Sequence, residues 1–156
     1  MKQEFIVGVI SDTHGLLRPE AVVQLQDCDL IVHAGDIGSL AVIEGLSKIA
    51  PVNAIKGNID KEPWAEQFPS TRTIEVGRTR IFVLHNLKEL DLDPTTEGFQ
   101  VVISGHSHKP KIHEENGVLY LNPGSAGPRR FKLPVTVAHL RITTHGVDAS
   151  IQELVV

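Results

Sequence analysis

Apolar runs and polar breaks divide the chain into two halves with different rhythms. In the first half, residues 4–10, 30–33 and 52–56 read as strands, and the amphipathic stretches near 19–26 and 40–49 read as helices. A strand–helix–strand–helix–strand series implies parallel strands joined by right-handed crossovers, with the carboxyl ends of the strands meeting in one crevice. In the second half, residues 71–76 and 79–85 flank Gly77-Arg78, and residues 112–115 and 118–122 flank Asn116-Gly117. Both pairs read as hairpins, the second because Asn-Gly accepts the positive φ of a tight turn. Residues 135–142 and 147–156 supply further strands around Thr144-His145-Gly146. Two sheets packed face to face, with helices on the outer faces, accommodate all of these elements.

The chain has 156 residues, 41% of them hydrophobic, with no repeat, linker or low-complexity segment, so a single domain over 1–156 is expected. The first apolar run, Phe5–Ile10, is too short for a membrane span or a signal core and is followed at once by Asp12, which leads to the expectation of a cytoplasmic protein. Cys28 is the single cysteine, which excludes an intramolecular disulfide and a thiolate metal cluster and reads as a small buried hydrophobe. The net charge of -4 argues against broad affinity for nucleic acid. One basic concentration stands out, formed by Lys109, Lys111, Arg129, Arg130 and Lys132. Most of it reads as a solvated face, but its closeness in sequence to His106, His108 and Asn122-Pro123-Gly124-Ser125 keeps phosphate recognition open.

The chemistry concentrates where the apolar runs end. Asp12-Thr13-His14, Gly35-Asp36, Gly57-Asn58, His85 and Gly105-His106-Ser107-His108 each follow a strand-like run. If these segments are extended, Asp12 with His14, and His106 with His108, point to a common side. Asp36, between Gly35 and Gly38, can approach an ion closely and bridge two cations, and Asn58 offers a neutral amide oxygen. Any one of these residues alone is ordinary turn chemistry. Their recurrence at five strand ends points to a two-metal centre.

In order and together, the D-x-H, G-D, G-N, H and G-H-x-H motifs carried by these residues make the chain resemble the calcineurin-like metallophosphoesterase superfamily, and within it the small cap-less YfcE-like branch. The resemblance spans nearly the whole chain. It implies an α/β fold, a four-layer αββα sandwich of two mixed β-sheets flanked by helices. It assigns Asp12, His14, Asp36 and His108 to one metal and Asp36, Asn58, His85 and His106 to the other, with Asp36 bridging. Two divalent ions per chain are implied, manganese foremost and nickel, iron or zinc as alternatives, since imidazole and carboxylate donors suit these ions. The implied activity is phosphodiester hydrolysis by a metal-bound hydroxide, with Asn58 and His106 also placed in catalysis and Asn86, Arg129 and Arg130 expected to contact the substrate. The expected partner is a small phosphodiester, without membrane, with nucleic acid disfavoured and homo-oligomerisation left open. Two alternatives keep the fold and change the function: a protein-binding scaffold like the retromer subunit of this fold, against which the complete ligand set argues, and a nuclease, against which the short acidic chain argues.

Two departures from the wider superfamily matter. Ile59 stands where many members place a histidine that protonates the leaving group, and an aliphatic side chain does no acid–base work. Asn86 follows His85 where glycine is common. Outside the motifs, His33 reads as a supporting or backbone-satisfied histidine, and His113, His139 and His145 as ordinary residues.

Overall fold

In the computed structural model, which describes residues 3–156, strand β1 (Phe5–Ile10) forms the centre of a five-stranded sheet. It pairs in parallel with β2 (Leu30–His33), and β2 pairs in parallel with β3 (Val52–Ala54). The crossovers carry α1 (Pro19–Gln24) and α2 (Leu40–Ser47). Proline at the first turn starts α1, where its missing N–H is no loss. The Ser39 side chain caps α2 by accepting the Ala41 N–H at 3.2 Å. On the other side of β1, β9 (Thr136–Thr143) runs antiparallel and pairs with β10 (Gly146–Glu153).

The second sheet has the order β4-β5-β6-β8-β7, built from β4 (Thr71–Val76), β5 (Thr79–Leu84), β6 (Val101–Ile103), β7 (Lys111–Glu115) and β8 (Val118–Asn122). Both expected hairpins form, β4 with β5 and β7 with β8. Strands β5, β6 and β8 run parallel to one another.

Alternation along the strands sets the layers. Val7, Val9 and Val32 face the second sheet and pack with Ile81, Val83, Ile103 and Leu121. Ile10, Ile31 and Ala54 face the other way, onto Leu25, Val42 and Leu46 around the helices. Each fully buried aliphatic side chain contributes about 1.5–3 kcal/mol relative to exposure. The sandwich is thus the expected one, but its fourth layer is thin. Leu84, Val102 and Val118, on the outer face of the second sheet, are covered by Phe82, Tyr120 and Leu90, the last closing the short 3-10 turn Leu87–Glu89. Among the described residues no helix is long and apolar enough to cross a membrane.

The loops leaving β1, β2, β5 and β6 are stitched together. The Asp12 N–H donates to Gly35 O at 3.0 Å and the Gly105 N–H to His85 O at 2.9 Å, while the His106 N–H reaches Asp12 Oδ2 at 3.1 Å. The Ile59 N–H donates to Asp36 Oδ1 at 3.2 Å and brings in the loop after β3, so five loops far apart in sequence meet there.

Candidate metal centre

Asp12, Asp36, His85 and His108 are buried, and His14 keeps 29% of its side chain exposed. Oδ1 of Asp12 lies 3.3 Å from His108 Nε2, 3.8 Å from His85 Nε2 and 3.9 Å from His14 Nε2. Oδ2 of Asp36 lies 3.2 Å from His85 Nε2 and 3.7 Å from His14 Nε2. Two groups of side chains offer donors close enough to share an ion: Asp12, His14 and His108, and Asp12, Asp36 and His85. His106 and Asn58 are exposed at the rim. The rings of His14 and His108 stand 5.4 Å apart and those of His85 and His106 5.2 Å apart, so the histidines of the G-H-x-H motif diverge to opposite sides of the centre.

That divergence corrects the strand-alternation argument for His106 and His108; Asp12 and His14 do offer donors to one location, but not from an extended segment. Asp12, His14, Asp36, His106 and His108 have φ of 54°, 47°, 56°, 70° and 64°, so they occupy left-handed turns instead of extended segments. Non-glycine residues in this region cost about 1–3 kcal/mol each unless their surroundings hold them. Here the holding groups are visible. Oδ2 of Asp12 accepts from Ser11 Oγ at 2.7 Å and from the His106 N–H, which leaves Oδ1 aimed at the centre. Ser125 Oγ donates to the Asp12 carbonyl at 3.0 Å, and Asn122 Nδ2 donates to Gly105 O at 2.9 Å, so the Asn-Pro-Gly-Ser segment braces both loops. Asp60 ties the loop after β2 to the loop after β3 by accepting the N–H groups of Ile37, Gly38 and Gly57.

Two glycines are set by close approach. A Cβ on Gly57 would lie 2.2 Å from Asp36 Oδ1, and one on Gly105 would lie 2.1 Å from Ser11 Oγ and 2.7 Å from Asp12 Oδ2.

The fit of these residues to a cation is tested by what they lack. Asp12 Oδ1, His14 Nε2, His85 Nε2 and His108 Nδ1 are buried atoms with no hydrogen-bond partner. Such atoms cost about 1–3 kcal/mol each when left bare. His85 sharpens the point. Its Nδ1 faces the Ala34 carbonyl at 2.7 Å and so carries the proton, which turns the Nε2 lone pair toward the Asp36 carboxylate. A second proton or a cation must lie between them. Accordingly His85 is shifted up: burial opposes the charged form, but the Asp36 carboxylate 3.2 Å from its Nε2, the Ala34 carbonyl and the charge of Asp12 outweigh it. Burial likewise raises Asp36, and the nearby His85 ring, with the Ile59 N–H, overrides it and brings the carboxyl to about 2.

His33 is fully buried. Its Nδ1 accepts the Gly35 N–H at 3.1 Å and its Nε2 meets Thr13 Oγ1 at 3.0 Å, with Thr13 passing the chain on to Ile37 O at 2.8 Å. It holds the turn between the first two motifs as a neutral ring, pushed down to about 4 mainly by burial.

Two clefts flank the centre. One, of about 550 Å³, is lined by Asn58, His85 and Asn86 together with Lys56, Lys61, Glu62 and Glu66. The other, of about 790 Å³, begins at Asn86 and His106 and includes Arg130. Asn86 belongs to both, and its Oδ1 accepts the Lys88 N–H at 3.1 Å, capping the 3-10 turn. Arg129 lines neither cleft and reaches the Leu133 carbonyl at 3.5 Å. Sequence reading passed over Ser11 and gave Asp60 and Asn122 no supporting role. The signal was present only as polar residues adjoining the motifs.

The family model of the calcineurin-like phosphoesterase superfamily domain matches residues 5–145. The chain belongs to this superfamily. It is similar to a probable metallophosphoesterase of Methanothermobacter thermautotrophicus, 37% identical over 161 aligned positions that cover 94% of this chain and 91% of that protein. A phosphodiesterase of Methanocaldococcus jannaschii is 26% identical over 136 positions, 76% of this chain and 82% of that one. Among solved structures, an archaeal phosphodiesterase superposes with a TM-score of 0.74 at 24% identity, covering 96% and 99% of the two chains. Vacuolar protein sorting 29 from Cryptosporidium parvum superposes with a TM-score of 0.78 at 20% identity, covering 98% and 99%. These last two likenesses establish the fold. Membership of a metal-dependent phosphoesterase superfamily makes the chain a hydrolase and makes Asp12, His14, Asp36, His85 and His108 candidate metal-binding residues.

Proposed function

We propose that this superfamily member is a phosphodiesterase that uses two divalent ions, one held by Asp12, His14, Asp36 and His108 and the other by Asp36, Asn58, His85 and His106. The observation that carries the reading is the pair of donor groups, Asp12, His14 and His108, and Asp12, Asp36 and His85, in which Asp12 Oδ1, His14 Nε2 and His85 Nε2 are buried and unpartnered. The pairing of the His14 ring with His108, and of His85 with His106, supports the division between the two sets. When bound, the ions supply a water of lowered pKa as nucleophile and offset the charge that develops on the phosphoryl oxygens.

The chain's own residues do the positioning. Ser11 and the His106 N–H fix one oxygen of Asp12 so that the other faces the centre. The Ala34 carbonyl fixes the His85 tautomer. Asn58 and His106, exposed on opposite clefts, flank the place where a phosphoryl group enters. Two carboxylates against two divalent ions leave a positive excess, which suits a monoanionic diester. Ile59 offers no proton to the leaving oxygen, which would leave as the anion and take its proton from water, its charge offset by the ions if they are bound.

The test is hydrolysis of an activated aryl phosphodiester and of the matching monoester by purified protein with manganese, nickel, iron or zinc, alongside metal analysis. The expected result is about two ions per chain, faster turnover of the diester, strongest with manganese or nickel, and loss of both activity and metal from Asp36→Asn. Faster turnover of the monoester across the metals would overturn the substrate class. Full metal occupancy with no hydrolysis would favour the scaffold reading suggested by the likeness to vacuolar protein sorting 29.

A further inference from the structure

The two clefts differ in charge. The first carries Asp60, Glu62, Glu66 and Glu89 beside its two lysines. The second has no acidic residue in its lining and carries Lys88, Lys109, Lys111 and Arg130. The salt bridges of lysine and arginine among the described residues are Arg80–Glu75 and Arg141–Glu4, so these four cations are not neutralised by ion pairs within the chain. In a chain of net charge -4, such a concentration around one groove is a local feature.

The floor of the groove is aromatic. His113 on β7 is opposite Tyr120 on β8 in the strand register, and Lys111 is opposite Asn122, so these four side chains share one face of the hairpin. The His113 and Tyr120 rings are 5.9 Å apart and inclined at 40°. Lys88 comes from the 3-10 turn, and Lys109 and Lys111 from the segment after the metal centre. Glu115, 3.6 Å from His113 Nε2, marks the far end. The near end opens on His106 and Asn86.

We propose that this groove binds a nucleotide arm of the substrate: the planar base rests on the Tyr120–His113 floor and a second phosphate is held by Lys109, Lys111, Lys88 and Arg130. The substrate class is then a phosphodiester whose one ester arm is a nucleoside carrying a further phosphate. The identification of the groove as a substrate arm rests on the phosphodiesterase reading above; its affinity for a phosphorylated nucleotide does not.

The experiment is calorimetric titration of the purified, manganese-loaded protein with thymidine 3′,5′-bisphosphate and with thymidine 5′-monophosphate. Several exposed phosphate–lysine contacts together predict that the bisphosphate binds about tenfold more tightly. In Lys109→Ala/Lys111→Ala that preference should shrink to about twofold or less, while Lys48→Ala/Arg78→Ala, which removes two charges outside both clefts, should retain it. Tyr120→Leu should weaken both nucleotides and leave inorganic pyrophosphate unchanged. A wild type without preference for the bisphosphate, or a preference that survives the loss of Lys109 and Lys111 or falls equally in the control, would overturn the phosphate subsite. Equal loss of pyrophosphate binding in Tyr120→Leu would overturn the aromatic floor. Because binding needs no turnover, a protein that binds as expected but cleaves no diester sinks the enzymatic reading and leaves the groove standing.

Discussion

Oδ2 of Asp60 accepts the Gly57 N–H at 2.8 Å, and the same carboxylate accepts those of Ile37 and Gly38 at 3.0 Å. One buried side chain therefore clamps the loop that carries Asp36 to the loop that carries Asn58. Asp60→Ala strips three backbone donors of their acceptor, and the expected loss is about 3 kcal/mol of stability, with water replacing part of the bonding. Denaturant unfolding of the variant measures it, and a midpoint equal to wild type would show that the clamp is dispensable.

Ser11 acts on Asp12, a proposed metal ligand. Its hydroxyl, 2.7 Å from Asp12 Oδ2, helps to aim the other oxygen. Ser11→Ala should keep the fold and weaken metal affinity by about tenfold or more, the usual effect of removing a group that orients a ligand. Competition against a graded chelator, with circular dichroism as the fold control, reads the change; unaltered affinity would leave Ser11 a packing role alone.

Gly105 and Gly117 separate steric from conformational demands. An added methyl at Gly105 meets Ser11 Oγ at 2.1 Å and must push Asp12 aside, whereas at Gly117 nothing lies within 4 Å and only the φ of +77° resists. Gly105→Ala is expected to abolish hydrolysis and metal binding. Gly117→Ala should cost about 1 kcal/mol and leave turnover intact. Comparable activities in the two variants would contradict the close-approach argument.

His33 gives the fold an acid sensitivity. Its folded value of about 4 lies below the ordinary 6.5, mainly through burial, so the unfolded chain takes up the proton first as pH falls. The stability due to the neutral ring is complete above 6.5 and lost progressively between 6.5 and about 4. Its size is about 3 kcal/mol by linkage. Urea unfolding of wild type and His33→Gln across that range, with chelator present in both, should show a shallower pH slope in the variant; parallel slopes would remove His33 as the cause.

Ile59 is 47% exposed and donates its N–H to Asp36 Oδ1 at 3.2 Å, while Asp60 beside it has both oxygens committed to backbone donors. Neither residue is placed to serve as a leaving-group acid. Rates on aryl diesters should therefore fall steeply with rising leaving-group pKa, and Ile59→His should flatten the slope, since a positioned acid contributes roughly 100-fold or more for poor leaving groups. A shallow slope in the wild type would reveal another proton donor.

The strand pattern, both hairpins, the parallel crossovers and the five residues that the fold gathers as candidate metal donors, Asp12, His14, Asp36, His85 and His108, were legible from the sequence, because alternation, turn residues and motif spacing are local properties. Residues 71–76, 118–122 and 30–33 form strands with the very bounds that their apolar alternation implies. What the sequence could not supply was the device that aims the ligands. Extended alternation would send His106 and His108 to one side, and left-handed turns send them to opposite sides. Those turns persist only because Ser11, Asp60, Asn122 and Ser125 bond to loops distant in sequence, and such bonds leave no periodic trace. The helix expected over the second sheet is likewise replaced by a 3-10 turn and the packing of Phe82, Leu90 and Tyr120. Chemistry was written in the residue types; their direction was decided by hydrogen bonds between loops that only the folded chain brings together.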